Sequence, residues 1–136
     1  MHNLLIVDDM DDMRKFLTDT LGSLFQVKIH EAVSGVEAFD LLRLVEIDFV
    51  VSDLYMTNGD GVWLLNQMRR QDMRIPVILF SSTPEELLAE IPLTYPLKAA
   101  VNKFRFANLV ENLEIFGLSR KESRLGAFFD KKCSPG

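Results

Sequence analysis

Phe49-Val50-Val51-Ser52-Asp53-Leu54-Tyr55-Met56-Thr57-Asn58-Gly59-Asp60-Gly61 is the stretch whose reading decides the fold. Residues 49–52 form a nearly continuous apolar run without polar alternation, as expected of a strand covered on both faces, and the run breaks at Asp53. Asn58-Gly59 is turn chemistry. Beyond it, Gly61, Leu64, Leu65 and Met68 recur at the spacing of one helical face. The same rhythm continues outward in both directions. Further strands are predicted at residues 4–7, 26–31, 77–80 and 99–102. Between them, Phe16, Leu17, Thr20, Leu21 and Leu24 share one helical stripe, Ala38, Leu41, Leu42 and Val45 a second, and Phe106, Leu109, Val110 and Leu113 a last one. The segment at residues 83–91 is the weakest helix. Pro84 suits a first turn and Glu85 and Glu86 suit the helix dipole, but Pro92 and Pro96 stop it early and leave its second half as loop.

Strands separated by helices imply right-handed crossovers and a parallel sheet with helices on both faces. The expected fold is therefore α/β, a three-layer doubly wound five-stranded parallel sheet. Polar residues stand where the apolar runs stop: Asp8 and Asp9 after the first, Asp53 after the third, Ser81 after the fourth and Lys103 after the fifth. These are carboxyl ends, where open parallel sheets bind ligands. With strand order 2-1-3-4-5 the first and third strands are neighbours, so Asp8, Asp9 and Asp53 converge. Three carboxylates in one cleft repel unless a counter-ion joins them. All-oxygen donors in that number suit Mg²⁺ better than a soft metal.

Composition bounds the remaining possibilities. A chain of 136 residues, 48% hydrophobic and 26% charged, is sized for one domain with a buried core. Residues 1–116 are expected to form it. Residues 117–136 lose the periodicity and carry five basic and two acidic residues, which reads as a basic C-terminal tail or linker too short for a second domain. A net charge of −5 argues against direct nucleic-acid binding or an anionic membrane as the main business of the protein. The single cysteine, Cys133, permits no intramolecular disulfide, and no apolar run approaches the roughly 18 residues of a membrane span. A cytoplasmic protein is the expectation.

The motifs resemble those of the receiver domains of bacterial two-component signalling, with the stand-alone chemotaxis regulator as the nearest type. The resemblance covers residues 1 to about 116. Leu5-Ile6-Val7-Asp8-Asp9 with Arg14 is similar to the acidic opening of that family, and the stretch from Asp53 to Gly61 is similar to its phosphoacceptor loop, with Thr57 where proline is usual. Pro76-Val77-Ile78-Leu79-Phe80-Ser81 resembles the strand that ends on a hydroxyl, and Lys103 stands at the spacing of the family lysine. The resemblance implies a flavodoxin-like fold and an aspartyl phosphate on Asp53. It also implies Mg²⁺ held by Asp9, Asp53 and the Tyr55 carbonyl, with Asp8 acting through water, and phosphoryl contacts from Lys103 and Ser81. The chain would then be a phosphoacceptor with at most autocatalytic turnover of its own aspartate. Its partners would be a sensor histidine kinase or phosphotransfer protein and an unknown downstream protein, a phosphorylation-dependent dimer being one mode of contact.

Duller roles stand beside these. Asp8 and Asp9 suit helix caps, Ser81 suits a cap ahead of Pro84, and Lys103 suits a solvated surface. Trp63 and His30 read as packing residues. Two departures bear on output. Phe104 follows the lysine where the family has proline after a cis bond, and Ala100 stands where it commonly has an aromatic residue that changes rotamer. The alternative function is a phosphate-independent interaction module that retains the acidic pocket.

Overall fold

A computed structural model describes residues 1–121; the expectations placed on residues 122–136, Cys133 among them, lie outside the described residues. The elements run β1 (His2–Val7), α1 (Asp11–Leu24), β2 (Val27–Ala32), α2 (Gly35–Leu44), β3 (Phe49–Ser52), α3 (Gly61–Arg70), β4 (Val77–Ser81), α4 (Glu85–Leu88), β5 (Leu97–Asn102) and α5 (Phe106–Ile115). The strands form one parallel sheet in the order β2-β1-β3-β4-β5. Both the three-layer α/β class and the strand order agree with the sequence reading.

Strand alternation divides the core in two. Leu4, Ile6, Val51, Ile78 and Phe80 point to the layer holding α1 and α5, where they meet Leu17, Leu21, Leu109, Val110 and Leu113. Leu5, Val7, Val50, Val77 and Leu79 point the other way, onto Ala38 and Leu42 of α2 and Leu64, Leu65 and Met68 of α3. Burial on both faces is why these strands read as unbroken apolar runs.

Several local expectations are corrected. Phe16 is not part of the buried stripe of α1; it is 46% exposed and meets Phe106 edge-on with ring centroids 5.3 Å apart. It sits one residue before the buried Leu17, rotated by a helical step toward α5. β5 begins at Leu97, before the apolar run, because the exposed Lys98 hides its start from a hydropathy reading. α4 is a single turn that ends at Leu88, ahead of Pro92 rather than at it, and Pro84 is its N-cap rather than its first-turn residue.

Loss of helical periodicity at residue 117 is not loss of packing. Leu118 is buried and joins the core between α1 and α5. Gln26 N donates to Ser119 O at 2.9 Å and Lys121 N to Leu24 O at 2.8 Å, with an antiparallel bridge between Phe25 and Arg120. Backbone pairing of this kind leaves little trace in side-chain pattern.

The turn after β3 depends on glycine at a close approach. A Cβ on Gly61 would lie 2.6 Å from the Asp53 carbonyl oxygen and 3.1 Å from Leu54 Cα. Gly61 N also donates to Leu54 O at 2.9 Å, which folds the segment back on itself. Gly61→Ala is expected to cost about 2 kcal/mol through backbone displacement. Urea unfolding checks this, and a loss under roughly 0.5 kcal/mol would contradict it.

Candidate functional site

Sheet pairing sets the two buried carboxylates side by side. β1 and β3 pair in register up to Val7 and Ser52, and Asp53 N then donates to Val7 O at 2.9 Å. Asp8 N donates to Ala32 O at 3.1 Å on the other side. Both aspartates are thus held by backbone continuing the strands, and their side chains emerge at the carboxyl edge of the sheet. Asp8 is 1% exposed and Asp53 8%, whereas Asp9 is exposed. Carboxylate oxygens of Asp8, Asp9 and Asp53 all lie within 4.8 Å of one another.

Each buried carboxylate has one oxygen tied to backbone and one to a single ammonium. Asp8 Oδ1 accepts from Met10 N at 2.9 Å and Asp53 Oδ1 from Leu54 N at 2.7 Å. Lys103 Nζ, reaching in from the end of β5, donates to Asp8 Oδ2 at 3.0 Å and Asp53 Oδ2 at 3.2 Å. Burial, reinforced by the charge of Asp8, pushes the Asp53 pKa up against the opposing pull of Lys103. For Lys103, burial disfavours the ammonium, but its hydrogen bonds and charge interactions with Asp8 and Asp53 together outweigh that and hold its pKa above the usual value. Three carboxylates against one ammonium leave a negative cleft of hard oxygen donors. That donor set matches an oxygen-seeking divalent cation.

Arg14 does not face this cleft. Its guanidinium donates to the Asp8 backbone carbonyl at 2.8 Å and pairs with Asp11 and Glu31, and the hydrogen bond it donates to Asp11 chiefly raises its pKa. It fixes the start of α1 against β2. Tyr55, 67% exposed, lies in sequence between Asp53 and a turn in which Asn58 and Gly59 have φ of 58° and 88°. Asn58 O and Gly59 O accept from Val36 N and Gly35 N, so the loop after β3 is anchored on the start of α2.

Ser81 closes β4 with 0% exposure. Its Oγ lies 2.9 Å from Thr83 Oγ1 and accepts from Thr83 N at 3.2 Å. A helix-capping role for it is excluded, since the N-cap of α4 is Pro84 and that end carries no side-chain cap. Capping of α1 by Asp8 or Asp9 is likewise not seen: Met10 is the N-cap. Lys103 is not a solvated surface lysine, being 11% exposed in its side chain.

Other singled-out residues fall outside the cleft. Trp63 packs edge-on against Phe39 at 6.2 Å, and His30 Nε2 lies 3.1 Å from Asn3 Oδ1. The Lys103–Phe104 peptide is not cis, and Phe104 is 91% exposed. Ala100 lines an open groove of about 520 Å³ between α4, β5 and α5, together with Leu88, Leu93, Asn102 and Asn112. Two residues missed in the sequence belong to the site's surroundings, Thr83 and Asn102. A polar Asn ending an apolar strand, directly before Lys103, was the available signal.

The profile of the response regulator receiver domain matches residues 4–114. A chemotaxis protein CheY homolog from Campylobacter jejuni is 33% identical over 102 residues, covering 74% of this chain and 77% of that protein. The sensor histidine kinase RcsC of Escherichia coli K12 is 42% identical over 76 residues, 55% of this chain but only 8% of the kinase. The chain thus matches a small part of such kinases. Among solved structures, the response regulator TrrA of Thermotoga maritima, in complex with Mg²⁺-BeF, superposes with a TM-score of 0.75 at 23% identity, covering 85% of this chain and 99% of that one. At that identity the likeness speaks for the fold. No helix among the described residues is long and apolar enough to cross a membrane.

Proposed function

The chain belongs to the response regulator receiver domain family, and on that premise we propose that Asp53 is the residue through which it acts as a phosphorylation-dependent signalling switch. The observation that carries the assignment is the single ammonium of Lys103 shared by two buried carboxylates, Asp8 and Asp53, of which Asp53 opens the loop leading to α3. A carboxylate oxygen of Asp53 attacks the phosphorus of a phosphohistidine or small acyl phosphate, and the donor leaves with the electron pair of the broken bond. Lys103 stays within reach of the transferred group and neutralises part of its charge. Ser81, on the adjoining strand, supplies a hydroxyl that can donate to a phosphoryl oxygen. Asp8 holds Lys103 in position throughout.

The donor set fits Mg²⁺, for which Asp8, Asp9, Asp53 and the Tyr55 carbonyl are the candidate ligands. When bound, the ion supplies positive charge beside the phosphoryl oxygens and relieves the repulsion among the carboxylates. The TrrA complex with Mg²⁺-BeF supports carrying this chemistry over. The donor would be a sensor histidine kinase or a phosphotransfer protein, and the output a change of contact with a downstream protein. Turnover would be confined to the chain's own aspartate.

Mapping of the modified residue after incubation with acetyl phosphate and Mg²⁺ tests the assignment. One phosphoryl group on Asp53 is expected; none at all would favour the phosphate-independent interaction module.

Millimolar Mg²⁺ is expected to raise the melting temperature by a few degrees, since it binds only the folded arrangement of the three carboxylates. Asp9→Asn should weaken Mg²⁺ binding by about tenfold while slightly raising metal-free stability through removal of one like charge. Calorimetric titration and thermal melts give the two readings. A melting temperature indifferent to Mg²⁺ would count against the cation site.

A further inference from the structure

Asn102 ends β5 as a polar side chain only 8% exposed, and both ends of its amide are committed. Nδ2 donates to Thr83 O at 2.7 Å, and Oδ1 accepts from Phe104 N at 2.8 Å. One side chain therefore ties the loop after β4, which follows Ser81, to the loop after β5, which follows Lys103. Thr83 is gripped from its other side as well. Its N–H donates to Ser81 Oγ at 3.2 Å, and the two hydroxyls share a hydrogen bond at 2.9 Å. Among the described residues, the hydrogen bonds of Ser81 Oγ all run to Thr83 rather than to Asp53 or Lys103.

The Ser81 hydroxyl has one proton, so when it donates to Thr83 Oγ1 it must release that bond to donate to a phosphoryl oxygen on Asp53, while the bond it accepts from Thr83 N need not break. Thr83 is the residue that Asn102 pins. An interaction made in one of two arrangements biases the equilibrium toward it by its differential free energy. We propose that Asn102 is a positioning residue that holds Thr83, and through it Ser81, in the resting arrangement, and so sets how readily the site accepts a phosphoryl group. The inference rests on the reading of Asp53 as phosphoacceptor. It does not place Asn102 in contact with the reacting atoms. The exposed pair between Arg105 and Glu85, at 2.8 Å, spans the same two segments but is solvated and contributes little.

Beryllium trifluoride titrated in the presence of Mg²⁺, with Mg²⁺ alone titrated in parallel, separates this role from a merely structural one. Asn102→Val removes both side-chain bonds and keeps a residue suited to a strand. It is expected to tighten the beryllium trifluoride affinity by about fivefold, the net worth of about one hydrogen bond, with Mg²⁺ affinity unchanged. A structural role would lower the melting temperature without splitting the two affinities. Thr83→Val, which removes the hydroxyl bond to Ser81 from a half-buried loop position, should shift the same affinity in the same direction, and it carries the test should Asn102→Val fail to fold. Combined, the two substitutions should give less than the product of their separate effects, because they release one restraint. Unchanged or weakened beryllium trifluoride binding in the variants, with a responsive wild type, overturns the proposal. A wild type that does not respond at all removes the Asp53 reading instead.

Discussion

Replacement of Lys103 by methionine is expected to destabilise the metal-free protein by about 3 kcal/mol. The Lys103 side chain is 11% exposed, and its ammonium contacts Asp8 and Asp53, whose side chains are 2% and 9% exposed. Methionine fills much the same volume, so packing is largely retained and the loss is electrostatic. Two buried carboxylates are then left facing each other without the one cation that partners both. Removing one member of a buried ion pair costs more than the pair contributes, since the remaining charge stays desolvated. Millimolar Mg²⁺ should restore part of the loss, because the cleft is now more negative and binds a cation more tightly. Acceptance of a phosphoryl group should fall by at least about a hundredfold, as a preorganised positive group is lost from the transferring phosphoryl. Urea unfolding with and without Mg²⁺, together with the rate of labelling by acetyl phosphate, gives all three readings. A metal-free loss below about 1 kcal/mol would mean that the ammonium is not balancing the cleft.

The second large effect is expected from Asp53→Asn, which should abolish labelling while making the metal-free protein more stable at neutral pH. An amide is not a nucleophile toward phosphorus under these conditions, so the loss is complete rather than graded. The stability gain follows from the raised pKa of Asp53, caused first by burial and then by the charge of Asp8 against the opposing Lys103. A carboxyl whose folded pKa lies above its unfolded value favours folding in its protonated form, below the unfolded pKa. That contribution is lost as pH rises through the folded value, so at neutral pH the ionised Asp53 is a burden on the fold. The neutral isostere removes it, by roughly 1 kcal/mol or a few degrees of melting temperature for a domain of this size. The advantage should shrink toward acid pH, where wild-type Asp53 is protonated. Melts across pH check the sign, and a variant less stable than wild type at neutral pH would contradict the electrostatic account.

Much of this architecture was legible in the sequence because its signals are steric and periodic. Strands buried on both faces must be apolar throughout, so residues 49–52 and 77–80 stood out, and any carboxylate directly after such a run is conspicuous. Adjacency of the β1 and β3 ends then follows from strand order, which is why Asp8, Asp9 and Asp53 could be grouped before their distances were known. Lys103 was legible as the polar break after the fifth apolar run, but its phosphoryl-contacting role came only from the resemblance. Interactions through backbone were not legible. Pairing of residues 119–121 with residues 24–26, and anchoring of the loop after β3 on Gly35 and Val36, use N–H and C=O groups that every residue carries. Phe16 was misplaced because the buried stripe of α1 runs through Leu17 and Leu21, and Phe16 lies at its exposed edge against Phe106. Asn102 went unread for a related reason, as a single buried amide at a strand end declares its partners only when two loops close over it.

The most direct test of the central claim is backbone NMR of the full chain titrated with beryllium trifluoride in the presence of Mg²⁺. A phosphorylation switch centred on Asp53 predicts saturable shifts at Asp8, Asp53, Leu54, Ser81, Thr83 and Lys103, dependent on Mg²⁺ and lost in Asp53→Asn. A spectrum unchanged at those residues, with Mg²⁺ bound, would contradict the switch.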